Sequence, residues 1–218
     1  MANYQTLHAR SISDPEGFWG EQATLIDWQT PFGKVLDYSR PPFAKWFVGG
    51  RTNLCHNAVD RHLADLGDSP ALIYLSTETG EEKIYTFKQL YREVNRMAGI
   101  LRGLGVGKGD RVLVYMPMIA EATFAMLACA RIGAIHSVVF GGFASVSLAT
   151  RIDDAKPKLI ISADAGSRAG KAVPYKHLLD EAINLSKFPP DRVLLVNRGL
   201  AEMARVAGRD VDYAELRA

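Results

Sequence analysis

Between residues 111 and 197, short runs rich in β-branched residues alternate with helical patterns, and this alternation limits the possible folds more than any other feature. The runs are Arg111–Met116, Ile135–Phe140, Lys158–Ser162 and Arg192–Asn197. The helical patterns between them are Ala120–Ile132, Ser145–Ala155 and Tyr175–Lys187. Strands separated by helices need crossover connections, which pair them in parallel. Right-handed crossovers then give an α/β fold: a doubly wound, mostly parallel sheet with flanking helices. Upstream, Ala71–Leu75 and Glu82–Tyr85 read as strands paired about Gly80. Thr86 and Gln89 form a capping box for a helix that carries Leu90, Val94, Met97, Ala98 and Leu101 at helical spacing. Asn53 is expected to cap another helix, with Leu54, Ala58, Val59, His62 and Leu63 along one side. After Arg198 the pattern predicts a weak helix over Leu200–Val206 and no clear end to the sheet.

Residues 1–53 read differently. They hold Trp19, Trp28 and Trp46 and the pair Pro41-Pro42 with little periodicity. The expectation is an extended, loop-rich segment that wraps a larger body, residues 54–218, with its aromatics as anchors. Hydrophobic residues make up 48% of the chain, enough for a sizeable core, which excludes wholesale disorder. The net charge of +2 lacks the basic excess of a phosphate-tracking nucleic-acid binder. Two cysteines, Cys55 and Cys129, are too few for a disulfide framework and form no Cys-x-x-Cys pair. With no signal-peptide pattern and no apolar run long enough for a bilayer, the expectation is a cytoplasmic globular protein.

Ligands of an open parallel sheet sit at the carboxyl ends of its strands, which draws attention to the loops Pro117–Ala120, Gly141–Ala144 and Ala163–Pro174. The glycine-rich Gly103–Gly109 follows a helix and precedes a strand, the reverse of a phosphate loop, so a helix cap and tight turn explain it. Ala163–Lys171 is better placed, after a strand and before a helix. It misses the P-loop spacing between Gly166 and Gly170, and Ala172 stands where that motif has Ser or Thr. Arg168 and Lys171 remain, two cations near a helix N-terminus. They suit a phosphate-like anion, or they are an ordinary solvated basic loop. Gly141 and Gly142 allow close approach of a ligand or positive backbone dihedrals, or they form a simple strand-to-helix turn with Phe143 in the core. The histidines show no metal spacing, and His136 is expected to be a hydrogen-bonded core residue. Cys129 reads as inert packing, and Asp153-Asp154 as a solvated face. No Gly-x-Ser-x-Gly elbow occurs, and no catalytic or metal constellation emerges.

Five stretches carry more than pattern: Asp27–Phe32, Gly50–Asn57, Gly109–Ala122, Leu127–Phe143 and Ala163–Lys171. Together they resemble short-chain acyl-CoA synthetases of the adenylate-forming superfamily, nearest the members that take propionate, with those that take acetate next. The resemblance spans essentially the whole chain. It implies an AMP-forming acid–thiol ligase that joins a short-chain acid to ATP, with magnesium, and passes the acyl group to coenzyme A. It also implies that residues 1–53 are the family's N-terminal segment and 54–218 the first part of its AMP-binding domain, in a chain about a third of the family's usual length. The family's Ser/Thr/Gly-rich loop, adenine and ribose contacts, acyl pocket and catalytic lysine have no match here. The expectation is therefore a fragment without turnover, which at most binds coenzyme A weakly or self-associates through a truncated sheet. By resemblance, the Arg168, Ala169, Gly170 and Lys171 loop contacts coenzyme A phosphates, and Gly141 and Gly142 lie beside the coenzyme A channel. Lys171 stands where relatives often have arginine or lysine. A lysine there keeps the charge and loses the bidentate fork.

Overall fold

Asn3 opens the first helix by accepting a hydrogen bond from the Thr6 backbone N–H, which satisfies one of the orphan donors of the first turn. The computed structural model describes residues 3–217 apart from residue 169, and of Arg168 the backbone alone. It comprises two compact units, one up to Arg61 and one from His62 onward.

In the first unit, Asp14 ends α1 (Tyr4–Ser13) and caps α2 (Pro15–Gln22), with Pro15 at the first helical position, where its missing N–H costs nothing. An antiparallel hairpin follows, β1 (Lys34–Arg40) with β2 (Phe43–Val48). The segment is more regular than its weak periodicity predicts. Its helices are set by caps and not by an apolar stripe: α1 buries no residue and α2 only Phe18. Trp28, Phe32 and Phe47 form a ring cluster with centroids 5.1–5.4 Å apart, and the Trp28 indole N–H donates to the Ala23 carbonyl. Asn53 caps α3 (Leu54–Ala58) as expected. The long helix predicted beyond it does not form. Val59 leaves the helical region (φ −130°, ψ −61°) as its side chain becomes fully buried, and a 3-10 turn follows at Asp60–His62.

The second unit starts with the short α4 (Leu63–Leu66) and the antiparallel pair β3 (Pro70–Leu75) and β4 (Glu82–Thr86). The Thr86/Gln89 capping box is present and opens α5 (Phe87–Gly103), whose predicted apolar positions are all buried. The expected alternation then runs β5 (Arg111–Tyr115), α6 (Ala120–Ile132), β6 (Ile135–Val139), α7 (Ser145–Ala155) and β7 (Leu159–Ala163). A small hairpin, β8 (Gly166–Arg168) with β9 (Lys171–Val173), precedes α8 (Tyr175–Leu185) and β10 (Arg192–Val196). Two short elements close the chain, β11 (Asp210–Asp212) and α9 (Tyr213–Arg217).

Among the described residues the main sheet has five strands in the order β11-β10-β7-β5-β6, every pair parallel. All five residues of β7, at its centre, are buried, as a strand covered on both faces requires. On one face Leu113, Tyr115, Ile160, Val193 and Leu195 pack with Leu148 and Ile152 of α7 and Leu179 and Ile183 of α8. Toward the other side α6 packs on β5 and β6, and α5 on α6.

Three expectations are corrected here. Residues 200–206 form no helix, because polar bonds to Asp164 and Asp210 draw their backbone N–H groups away from a helical pattern. Among the described residues one edge of the sheet is β11, which its Asp-Val-Asp composition hides. The Asp210 side chain, which has no exposed surface, holds this strand, facing Lys176 at 3.1 Å and Arg209 at 2.6 Å. His136 sits half-buried on β6, an edge strand, and not in the sheet interior.

Candidate functional site

The loops that leave the carboxyl ends of β5, β6 and β7 meet around one side chain, Tyr175 at the start of α8. Its ring lies 5.1 Å from that of Tyr115 on β5. A Cβ added to Gly141 would stand 2.1 Å from the Tyr175 hydroxyl and 2.4 Å from the ring carbon that bears it. A Cβ on Gly166 would stand 3.0 Å from the same ring and 3.2 Å from the Pro117 Cβ. Both glycines are thus places where the backbone passes against an aromatic plate. Gly141 is there for room, not for a left-handed backbone, since its φ lies outside that region. Gly142, beside it, is exposed.

The Tyr115 hydroxyl donates to the Phe143 carbonyl at 3.3 Å, which fixes the far side of the glycine turn. Burial, with Tyr175 as a second cause, pushes the Tyr115 phenol up to about 12, so it stays protonated and a donor at neutral pH. Phe143 packs partly buried against the core, with the Arg151 guanidinium 4.9 Å from its ring centre.

The basic loop is a hairpin, which the sequence did not indicate. Gly170 supplies the positive φ (75°) that a tight two-residue turn needs, and Arg168 faces Lys171 across it. Lys171 is exposed. The Arg168 side chain and all of Ala169 lie outside the described residues. The structure therefore brings Gly141 and the base of the basic hairpin together through Tyr175, and carries Lys171 on the hairpin itself.

Polar ties anchor the hairpin. The Asp164 carboxylate, fully buried at the end of β7, accepts the backbone N–H groups of Arg198, Leu200 and Ala201. Arg198 donates to the Ala165 carbonyl at 2.9 Å and pairs with Glu78 at 2.5 Å. Glu78, from the turn between β3 and β4, also accepts the Ser167 N–H at 2.8 Å. Nearby, a cleft of about 260 Å³ at the carboxyl ends of β5 and β10 is lined by Tyr74, Lys83, Tyr85, Glu121, Asn197 and Arg198. Sequence reasoning missed Tyr175, Glu78, Asp164 and Arg198. Tyr175 could have been found from its place just after the basic loop, whereas Glu78 carries no local signal.

Two other candidates are placed outside the site. Cys129 is buried and its thiol is pushed up to about 12 by that burial, so it is no thiolate nucleophile. Asp153 does more than face solvent. It accepts from the Ser186 hydroxyl and from the N–H groups of Lys187 and Phe188, which closes the exit of α8.

With this geometry in view, comparison with known proteins is specific. The family model for the AMP-binding enzyme matches residues 59–207, and that for the acetyl-coenzyme A synthetase N-terminus matches residues 4–58. The chain belongs to the AMP-binding enzyme family. A propionate–CoA ligase of Escherichia coli is 65% identical over 215 residues, 99% of this chain and 34% of its own length. An acetyl-coenzyme A synthetase of Methylorubrum extorquens is 52% identical over 98% of this chain and 33% of its own. Among solved structures, the acetoacetyl-CoA synthetase from Streptomyces lividans superposes with a TM-score of 0.87 at 29% identity, covering 100% of this chain and 33% of that one. The chain thus spans about a third of the length of the curated relatives it matches. No helix among the described residues is long and apolar enough to cross a membrane.

Proposed function

We propose that these residues serve an AMP-forming propionate–CoA ligase and that their share of the work is to seat coenzyme A. In the whole enzyme, working in the cytoplasm, the propionate carboxylate attacks ATP, with magnesium, to give propionyl-adenylate and pyrophosphate. The coenzyme A thiol then attacks the acyl carbon and AMP departs. Adenylation converts a poor leaving group into a good one. The observation that carries the reading is the basic hairpin: Lys171, opposite Arg168, projects from the carboxyl edge of the sheet beside the glycine turn that Tyr175 packs against. A phosphate is an anion that suits the exposed Lys171 beside the exposed backbone of Gly142 and Gly170. The 65% identity to a propionate–CoA ligase favours propionate over acetate.

Calorimetry of the 218-residue chain with coenzyme A tests this reading. Two charge-assisted contacts predict a Kd on the order of millimolar. Lys171→Ala and Arg168→Ala should each weaken it several-fold, and heats identical to wild type would remove the coenzyme A reading. Propionate-dependent exchange of pyrophosphate into ATP should be absent from this chain alone; clear exchange would assign it the whole reaction. Self-association belongs to the same proposal. Ile135 and Val138 are each 56% exposed on β6, an edge strand whose outer backbone groups can pair with another chain. A monodisperse monomer in light scattering at high concentration would contradict it.

A further inference from the structure

The basic hairpin is held apolarly only at its base, where Gly166 lies against the Tyr175 ring and Val173 packs on the core. Ser167, Gly170, Lys171 and Ala172 are exposed, and the paired segments are three residues long, too short to be stable on their own. In an antiparallel pair every second residue turns its N–H away from its partner. Here Ser167 is such a residue, and its outward N–H donates to Glu78, 89 positions earlier in the chain, at 2.8 Å. The second oxygen of Glu78 faces the Arg198 guanidinium at 2.5 Å, and Arg198 is only 8% exposed. Arg198 in turn donates to the carbonyl of Ala165, next to the first residue of the hairpin. One carboxylate thus grips the hairpin strand directly and, through Arg198, the segment that leads into it.

The geometry points to Glu78 as a positioning residue for the anion site. It holds the basic hairpin at the carboxyl edge of the sheet, and Arg198 cancels its negative charge, so a carboxylate can stand one residue from Arg168 without repelling an incoming phosphate. This rests on the coenzyme A reading for its ligand and on the hydrogen bonds alone for the brace. A neutral acceptor at position 78 would keep the Ser167 bond and lose most of the attraction to Arg198. A methyl group there would lose both.

The hairpin carries its own reporter, because trypsin cleaves after Arg168 and Lys171. Glu78→Ala should speed cleavage at those two bonds about tenfold, the scale of a lost charge-assisted hydrogen bond when cleavage follows local opening. Glu78→Gln should speed it only a few-fold, with sites such as Lys108 and Arg131 unchanged in both variants. Coenzyme A affinity, read by calorimetry, should fall in the same order. Cleavage of Glu78→Ala at the wild-type rate would overturn the brace. So would equal acceleration at every tryptic site in both variants, which is general destabilisation. Absence of any coenzyme A heat in the wild type would remove the ligand half together with the coenzyme A reading, while the cleavage pattern would still decide the brace.

Discussion

Strand β7 and the hairpin β8–β9 are separated by two residues and are held in place by opposite means. Every residue of β7 is buried, flanked by β5 and β10 and covered by apolar side chains. Most described residues of the hairpin are exposed, and its hold is Val173 against the core, an aromatic ring beside Gly166 and a carboxylate on Ser167. The other polar-held piece, β11, depends on Asp210 between Lys176 and Arg209. The difference teaches where the sheet ends and the site begins. Apolar burial fixes the platform, and directional polar contacts place what sits at its edge, where full burial would deny access to a ligand.

Breaking the polar-held edge at β11 should have the largest effect on stability. Asp210 has no exposed side-chain surface, and Lys176 is only 4% exposed. Asp210→Ala removes an acceptor shared by Lys176, Arg209 and the Val206 N–H, leaving the two cations with Asp180 alone, and should cost about 3–5 kcal/mol in chemical denaturation. A loss under about 1 kcal/mol would mean that β11 is held by its backbone pairing instead. Ile160→Ala, in the centre of β7, should cost about 2–5 kcal/mol by transfer and cavity terms. It should change the hairpin's trypsin sensitivity much less than Glu78→Ala does, since the hairpin meets that core only at its base, through Val173. Gly141→Ala forces a methyl group into the Tyr175 ring and should cost about 1–3 kcal/mol, as overpacking does. It should also weaken coenzyme A binding, whereas Gly170, whose added Cβ meets nothing, tests turn conformation alone.

The smallest effect is on acid stability. The Ser186 hydroxyl, with the N–H groups of Lys187 and Phe188, holds the Asp153 carboxyl below its ordinary range. Burial raises that of Asp210, but Arg209, the Val206 N–H and Lys176 outweigh it and the net shift is downward. A carboxylate whose folded value is depressed contributes stability that is complete above its unfolded value, about 3.9, and is lost as the pH falls through the folded one. Urea midpoints should therefore drop as the pH goes below about 4, and less steeply in Asp210→Asn. An unchanged profile in that variant would assign the acid sensitivity elsewhere.

How much of this was legible in the sequence follows the same division. The apolar-held parts were readable. The helices Ala120–Ile132 and Ser145–Ala155 form over the predicted spans, and the strands fall within one residue of theirs, because burial imposes a period on the sequence. The polar-held parts were not. Asp210–Asp212 has the composition of a turn, yet it pairs with β10 and its Asp210 meets Lys176 and Arg209, partners distant in sequence or hidden by local pattern. Glu78 and Ser167 are 89 positions apart, and no local pattern links them. The loops at the strand ends and the basic residues on them follow from topology, charge and spacing, and the resemblance adds the coenzyme A role. Tyr175, the side chain that gathers those loops, was read only as the first residue of a helix.

Amide NMR on the isotope-labelled chain, with coenzyme A added stepwise, tests the central claim most directly. The account predicts progressive shifts at Gly141, Gly142, Gly170 and Lys171, with the buried amides of β7 still, and smaller shifts when the probe lacks the 3′-phosphate. Shifts confined to the cleft lined by Asn197 and Arg198, or no shift at the basic hairpin at saturating probe, would contradict it.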